Sequence, residues 1–149
     1  MNTLNFRGIK PSDREAWNPL WDGYLEFYEH SLTSEQTELT WKRFFDDSIR
    51  LHGFVAEHDG EVVGFAHCWF TNTTWLDKPD LYLEDLFVSP AVRRRGVGEF
   101  LIQGCADFAK SSGSNRLYWQ TQRKNESAQK LYNKVASLSE YIIFEQVFE

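Results

Sequence analysis

The chain of 149 residues has few cysteines and no long apolar segment. Its two cysteines, Cys68 and Cys105, each stand in an apolar context, which predicts two buried free thiols in a reducing cytoplasm. No apolar run approaches the ~20 residues of a membrane span, and the N-terminus lacks the apolar core of a signal peptide. We therefore expect a cytoplasmic protein with no membrane contact.

Basic residues are also too few for a nucleic-acid surface. The formal net charge is −6 and the pI is about 5.2, which favours a small cationic partner. Nine acids and only three bases lie between Asp13 and Asp47, whereas Arg93 to Arg95 form a compact positive cluster. We expect no metal site, because metal-ligand spacing is missing from the four histidines, His30, His52, His58 and His67.

Periodicity along the chain predicts strand, two helices, three strands, helix, strand, helix and strand. Thr33, followed three residues later by Gln36, is typical of a helix start, and Asp59-Gly60 is typical of a hairpin turn. Tyr141 to Phe148 is predicted as the last strand because it is rich in aromatic and β-branched residues. We expect one α/β (α+β) domain over residues 1–149, with about four helices and a mixed sheet of about six to seven strands.

An apolar strand from Leu81 to Val88 contains two adjacent carboxylates, Glu84 and Asp85. Unpaired charges are costly inside such a strand. Regular alternation predicts that the two side chains point to opposite faces. One of them then meets solvent or substrate, and the other is a hydrogen-bonded structural group.

A loop with the pattern Arg93-x-x-Gly96-x-Gly98 follows this strand and precedes a helix-periodic run. Loop N–H groups and the positive start of a helix suit an oligoanion such as a phosphate-bearing cofactor. The alternative is an ordinary strand–helix turn with solvated arginines. A nucleotide P-loop is excluded, because no Gly-Lys-Ser/Thr follows.

This loop resembles the Gln/Arg-x-x-Gly-x-Gly/Ala segment of the Gcn5-related N-acetyltransferase (GNAT) superfamily. A second segment, from Asn125 through Ala128 to Leu131-Tyr132, is similar to that superfamily's Asn-x-x-Ala-x-x-Leu-Tyr. Ala136 departs from it, since a glycine is common at that point. A narrower resemblance to the diamine (spermidine/spermine and thialysine) and yeast Hpa-type acetyltransferases lies in Phe65-Ala66, Phe70-Thr71, Trp75, Lys78 and Leu81 to Val88.

The resemblance implies a GNAT fold and an acetyl-CoA-dependent N-acetyltransferase. Its acceptor would be the primary amine of a small cationic molecule such as a polyamine, attacking directly in a ternary complex. Tyr132 would be the general acid and Glu84 the acceptor-side carboxylate, with Tyr28, Glu29 and Glu84 contacting the amine. The residues implied to hold coenzyme A are Leu86, Phe87, Val88, Arg93, Arg94, Arg95, Gly96, Val97, Gly98, Glu99, Asn125 and Ala128.

Two other functions stay open at this point: acetylation of a protein lysine or N-terminus, and a catalytically silent acyl-CoA-binding module. Retention of Tyr132 and Glu84 together with the full loop argues against the silent module. An uncovered strand from Tyr141 to Phe148 would be a pairing liability, and the resembled groups are commonly dimers that meet through C-terminal strands. We expect a homodimer through this strand; the alternative is that it closes the chain's own sheet.

Overall fold

The computed structural model describes residues 3–148. Residues 1, 2 and 149 of the expected domain lie outside that range. The chain forms two compact units, one ending at Trp119 and the other beginning at Gln120. The mixed α/β class is confirmed, whereas the single domain over residues 1–149 stays a prediction.

The first unit combines a β-sheet with three α-helices. The strands are β1 Leu4–Gly8, β2 Leu51–His58, β3 Glu61–Thr71, β4 Asp80–Val88 and β5 Leu117–Tyr118. The helices are α1 Arg14–Phe27, α2 Ser34–Arg43 and α3 Val97–Ser111. Single 3-10 turns stand at Pro11–Asp13 and Pro90–Val92.

The sheet has the strand order β1-β2-β3-β4-β5 among the described residues. The first four strands are antiparallel, and β5 runs parallel to β4. The prediction of six to seven strands is therefore wrong. The residues predicted as the last strand, 141–148, form no strand in the described chain, so their β-propensity alone does not make a strand.

Aromatic side chains of α1 and α2 form the core on one face of the sheet. Trp17 stacks on Trp21 with ring centroids 5.4 Å apart and contacts Trp41 at 4.9 Å. Phe65 of β3 and Phe87 of β4 belong to the same buried cluster. Placing these helices against the sheet fixes which side chains of β3 and β4 face α1.

Helix α3 covers the opposite face of the sheet. Cys105 of α3 lies with its Sγ 3.6 Å from the Sγ of Cys68 in β3, and both residues are buried. The prediction of two buried free thiols is confirmed. The hydrogen bond to Cys105 and burial together raise the pKa of the Cys68 thiol.

The second unit contains α4 Glu126–Val135, after which residues 137–148 form neither helix nor strand. This C-terminal segment is strongly exposed, with Phe144 at 88% and Phe148 at 82% of their full accessible surface. Its exposed apolar residues are Leu138, Tyr141, Ile142, Ile143, Phe144, Val147 and Phe148. Across the described residues, no helix has the length and apolar character needed to cross a membrane.

A buried ion pair joins the first strand to the turn before α1. Arg7 Nη1 and Nη2 donate to the two carboxylate oxygens of Asp13 at 2.8 and 2.9 Å. Asp13 is only 6% exposed and also accepts from the backbone N–H of Lys10 at 2.7 Å. The Arg7 hydrogen bonds hold the pKa of Asp13 below its usual value, although burial opposes them.

Asp13→Asn should lower the free energy of unfolding at neutral pH by about 2 kcal/mol, because it breaks charge-assisted bonds to a partly buried guanidinium. A carboxyl whose pKa is lowered by folding stabilises fully above the ordinary value of 3.8. That contribution is lost as the pH falls through the lower folded value. Chemical denaturation of both proteins at several pH values measures the difference, which should shrink in acid.

Asp77→Asn is the control, since Asp77 is an exposed residue of the loop between β3 and β4. It should change the stability by less than about 0.5 kcal/mol. An equal effect of both substitutions would show that the Arg7–Asp13 pair contributes nothing specific.

Candidate active site

Strand β4 contains a bulge at Glu84. Its register with β3 passes from Cys68↔Leu83 directly to His67↔Asp85, so Glu84 has no opposite residue. A bulge interrupts the alternation of side chains and re-aims the residues beside it. The carboxylates of this strand are therefore placed by the bulge and not by simple alternation.

Both carboxylates lie on the face of the sheet that α1 covers. Asp85 Oδ1 accepts from the Tyr24 hydroxyl of α1 at 2.6 Å. Glu84 Oε1 accepts from Trp69 Nε1 at 2.7 Å, and Trp69 follows His67 by two residues on β3, hence on the same face. The prediction that Glu84 and Asp85 point to opposite faces is wrong, because it assumed a regular strand.

Glu84 is exposed at the surface, yet the pKa of its carboxyl group departs from the ordinary value. Partial burial and the adjacent negative charge of Asp85 raise the pKa of Glu84, while the Trp69 hydrogen bond opposes them. A carboxylate with a raised pKa is a better proton acceptor near neutral pH. Exposure also leaves it open to an incoming molecule.

Asp85 also belongs to a chain of hydrogen bonds that runs into the core. Its Oδ2 lies 2.8 Å from His67 Nδ1, and the indole Nε1 of Trp17 donates to His67 Nε2 at 3.1 Å. No sequence pattern predicts a site role for His67 or Tyr24. The signal available was the antiparallel β3–β4 pairing, which sets His67 opposite Asp85.

Three phenol groups, those of Tyr24, Tyr28 and Tyr82, lie close enough to the two carboxylates to feel their charge. The pKa of Tyr24 and of Tyr28 is raised, first by burial and then by the charge of Asp85. Burial and the charge of Glu84 likewise raise the pKa of Tyr82. The phenols stay neutral, so the cluster combines negative charge with aromatic surface, which is the chemistry that binds an ammonium group.

Tyr28 and Glu29, predicted to contact the substrate, end α1. The N–H of Glu29 bonds the carbonyl of Glu26, and the N–H of His30 bonds that of Leu25, as in a Schellman motif. Glu29 occupies the position that favours glycine, with φ of 53°. The structure thus places Tyr28 at the carboxylate cluster and Glu29 in a strained, exposed turn beside it.

The ladder between β4 and β5 ends at Tyr82 and Tyr118 after two pairs. Along Leu83 to Val88, no strand of the described chain borders that side of β4. The predicted cofactor residues Leu86–Val88 pair with β3 alone. An extended ligand with amide groups can bond to such an open edge.

The arginine-rich loop is held to the end of β4. Arg93 Nε donates to the Val88 carbonyl at 3.1 Å, and its guanidinium lies 5.1 Å from the centre of the Phe87 ring. Arg94 and Gly96 both have positive φ, of 67° and 79°. A Cβ on Gly96 would meet open space, so a ligand can approach the backbone there.

Helix α3 begins directly after this loop, at Val97. The N–H groups of a first helical turn have no intrahelical acceptor and carry the positive end of the helix dipole. Gly98 and Glu99 lie in that first turn, while Arg94 and Arg95 are exposed on the loop. Backbone donors, two exposed guanidinium groups and open space fit a diphosphate.

In the second unit, Asn125 caps α4. Its Oδ1 accepts from the backbone N–H of Ala128 at 3.4 Å. Ala128 and Tyr132 follow at intervals that share one helix face, and both are half-buried. Ala136 ends the helix in an extended conformation, with φ of −152°, so the missing glycine is not needed for the turn.

Comparison with known proteins identifies relatives over most of the chain. A family model described as Acetyltransferase (GNAT) family matches residues 17–136. The D-amino-acid N-acetyltransferase HPA3 of Saccharomyces cerevisiae is 34% identical over 142 residues, covering 94% of this chain and 88% of HPA3. The thialysine N-epsilon-acetyltransferase of Bos taurus is 28% identical over 124 residues, covering 75% of this chain and 72% of that protein.

Solved structures share the fold at low identity. The ribosomal-protein-alanine N-acetyltransferase from Brucella melitensis biovar Abortus 2308 superposes with a TM-score of 0.82 at 18% identity, covering 98% of this chain and 99% of that one. The aminoglycoside acetyltransferase AAC(6')-Iy with a CoA bisubstrate analog gives 0.79 at 23% identity, covering 98% and 99%.

Proposed function

The chain belongs to the GNAT family and is an acetyl-CoA-dependent N-acetyltransferase, and on that premise we propose that it acetylates the primary amine of a small cationic molecule such as a polyamine. The observation that carries this proposal is the pairing of Glu84 and Asp85 on one face of β4, beneath phenol rings. Two adjacent carboxylates with aromatic surface attract an ammonium group and disfavour an anionic acceptor.

Acetyl-CoA supplies an acetyl group activated as a thioester. We assign its diphosphate to the loop from Arg93 through Arg94, Arg95 and Gly96 to the first turn of α3 at Val97, Gly98 and Glu99. The open edge at Leu86, Phe87 and Val88 is assigned to the amide-bearing arm. Asn125 and Ala128 are assigned to the same arm by resemblance alone.

Glu84 is the residue we assign to proton removal, directly or through a water molecule. An alkyl ammonium with a pKa near ~10 must lose its proton before it can attack a carbonyl. The raised pKa of Glu84 suits that task, and its exposure leaves it within reach of solvent. Tyr132 is assigned, by the family pattern, to donate the proton of its Oη to the departing thiolate.

A second acceptor class is an amino acid. The relative at 34% identity is named for D-amino acids, and another is named for thialysine. Both are small molecules with a free amine and a carboxylate. A carboxylate-bearing acceptor needs a cation near Glu84, and no arginine or lysine bonds to Glu84 or Asp85 in the described residues.

The test is thiol release from acetyl-CoA with matched acceptors: a polyamine, a D-amino acid, thialysine and a lysine peptide. We expect the polyamine to give the highest kcat/KM. A tenfold preference for either amino acid would replace the first acceptor class by the second. Preference for the peptide would indicate a protein acetyltransferase, and no release with any amine would indicate a silent binding module.

Glu84→Gln and Tyr132→Phe should damage different steps. Glu84→Gln should raise KM for the amine and remove the acidic limb of the pH–rate profile. In the parent enzyme that limb should lie above the ordinary pKa of glutamate, because activity is lost as the pH falls through the raised pKa of Glu84.

Tyr132→Phe should lower kcat by about 10- to 1000-fold with acetyl-CoA affinity unchanged. Identical kinetic profiles of the two variants would contradict these separate roles.

Gly96→Val should raise the Kd for acetyl-CoA at least tenfold, about 1.4 kcal/mol. The valine side chain would fill the space through which the diphosphate approaches the loop backbone. Gly60→Val is the matched control. Gly60 has φ of 85° and equally open space, but it lies in the β2–β3 turn. Both should lose about 1–2 kcal/mol of stability through backbone strain. Calorimetry showing equal Kd values would contradict the assignment of the loop.

We also propose a homodimer in which the C-terminal segment, residues 137–148, meets a second copy of the chain. Seven of its apolar side chains are exposed, and a cluster of exposed apolar residues is typical of an interaction surface. The segment pairs with no strand of its own chain in the described residues, and such an unpaired segment can form β-pairs with a second copy of the chain.

Light scattering at micromolar concentration should give about twice the chain mass of 17.5 kDa, and deletion of 141–149 should return it to the monomer mass. Trp75→Ala is the control, since Trp75 is 83% exposed but lies outside the segment; it should remain dimeric. A monomeric parent chain, or a folded truncation that stays dimeric, would contradict the proposal.

We propose a cytoplasmic location because both cysteine thiols are free. Cys68 and Cys105 lie 3.6 Å apart without a disulfide, which accords with a reducing compartment. Fractionation of cells that produce the tagged chain tests this location.

A further inference from the structure

The buried hydrogen-bond chain from Trp17 to Tyr24 stands next to the carboxylate assigned as the base. We propose that His67 is a positioning residue, which holds Asp85 against Tyr24 and thereby leaves Glu84 as the one carboxylate of the pair that can take a proton from the acceptor. This proposal rests on the proposed function, because it concerns the amine side of the same site.

The partners of His67 determine its tautomer. The indole N–H of Trp17 can only donate, so the Nε2 of His67 that lies 3.1 Å from it must be an acceptor. In a neutral imidazole the proton then stands on Nδ1, which lies 2.8 Å from Asp85 Oδ2. His67 therefore donates to Asp85.

The ring of His67 has no freedom to turn away from this arrangement. It is 1% exposed. The ring of Phe65 is stacked on it at 4.3 Å and 10°, and the ring of Phe44 lies 4.7 Å away. These two aromatic rings restrict the plane of the imidazole. The polar atoms within hydrogen-bond distance of its two nitrogens belong to Trp17 and Asp85.

Each oxygen of Asp85 has its own donor. Oδ1 accepts from the Tyr24 hydroxyl at 2.6 Å and Oδ2 from His67, and the Asp85 side chain is only 13% exposed. Within residues 3–148 the Glu84 side chain accepts one hydrogen bond, from Trp69 Nε1 to Oε1 at 2.7 Å, and the residue is exposed. Two neighbouring carboxylates thus receive different roles: Asp85 is a fixed charge that favours an ammonium, and Glu84 keeps an oxygen for the proton.

The first test is the tautomer itself. Long-range proton–nitrogen NMR of the full chain under the assay conditions should show His67 protonated on Nδ1 alone. A proton on Nε2 would overturn the proposal, whatever the enzyme activity. This measurement does not depend on any variant folding.

The second test compares His67→Phe with His67→Asn. Phenylalanine keeps the ring but removes the donor, and kcat/KM for the amine should fall about 10- to 100-fold, as expected for a displaced reactive group. The asparagine Nδ2–H can replace Nδ1–H towards Asp85, so His67→Asn should recover kcat/KM to within about threefold of the parent. The Kd for acetyl-CoA, measured by calorimetry, should stay within about twofold in both variants.

Unchanged amine kinetics in His67→Phe would overturn the positioning role while leaving the proposed function intact. Equal losses in both variants would also overturn it, because a structural role in packing gives no rescue by an amide. A parent chain that releases no thiol with any amine would overturn the proposed function, and that result is distinct from either of these.

Discussion

The bulge of β4 at Glu84 is the constraint on which the candidate site depends. One extra residue between the Leu83 and Asp85 pairings turns both carboxylates towards α1. Without it, alternation would send one of them into the buried face beneath α3. The bulge also lies within the part of β4 that β5 leaves unpaired. A single register shift therefore places the acidic cluster close to the open edge of the strand.

The side chains packed around the acidic cluster offset the cost of burying its carboxylates. A buried carboxylate needs donors for its oxygens, and the core formed by α1 and β3 supplies them from Tyr24 and His67. Trp17 extends the chain into the fully buried core. The same rings that exclude water also carry the polar atoms, so the core of the first unit and the candidate site are continuous.

The order of the elements along the chain up to α4 and the start of α2 followed from local pattern. Thr33 accepts from the N–H of Gln36 as its spacing predicted, and the hairpin forms at Asp59-Gly60. The prediction failed where a paired neighbour was needed: Tyr141 to Phe148 has the composition of a strand but pairs with no strand of the described chain. Local propensity alone does not make a strand.

The sequence by itself determined the family, through the loop at Arg93 to Gly98 and the segment from Asn125 to Tyr132, because both are short patterns set by backbone chemistry. It also located Glu84 and Asp85 as unusual charges in an apolar strand. Only the tertiary structure decided which face they occupy and which donors they meet. Both depend on strand register and on packing between residues far apart in sequence, such as Tyr24 and Asp85, which are 61 positions apart. Neither the register nor such packing produces a periodic pattern in the sequence.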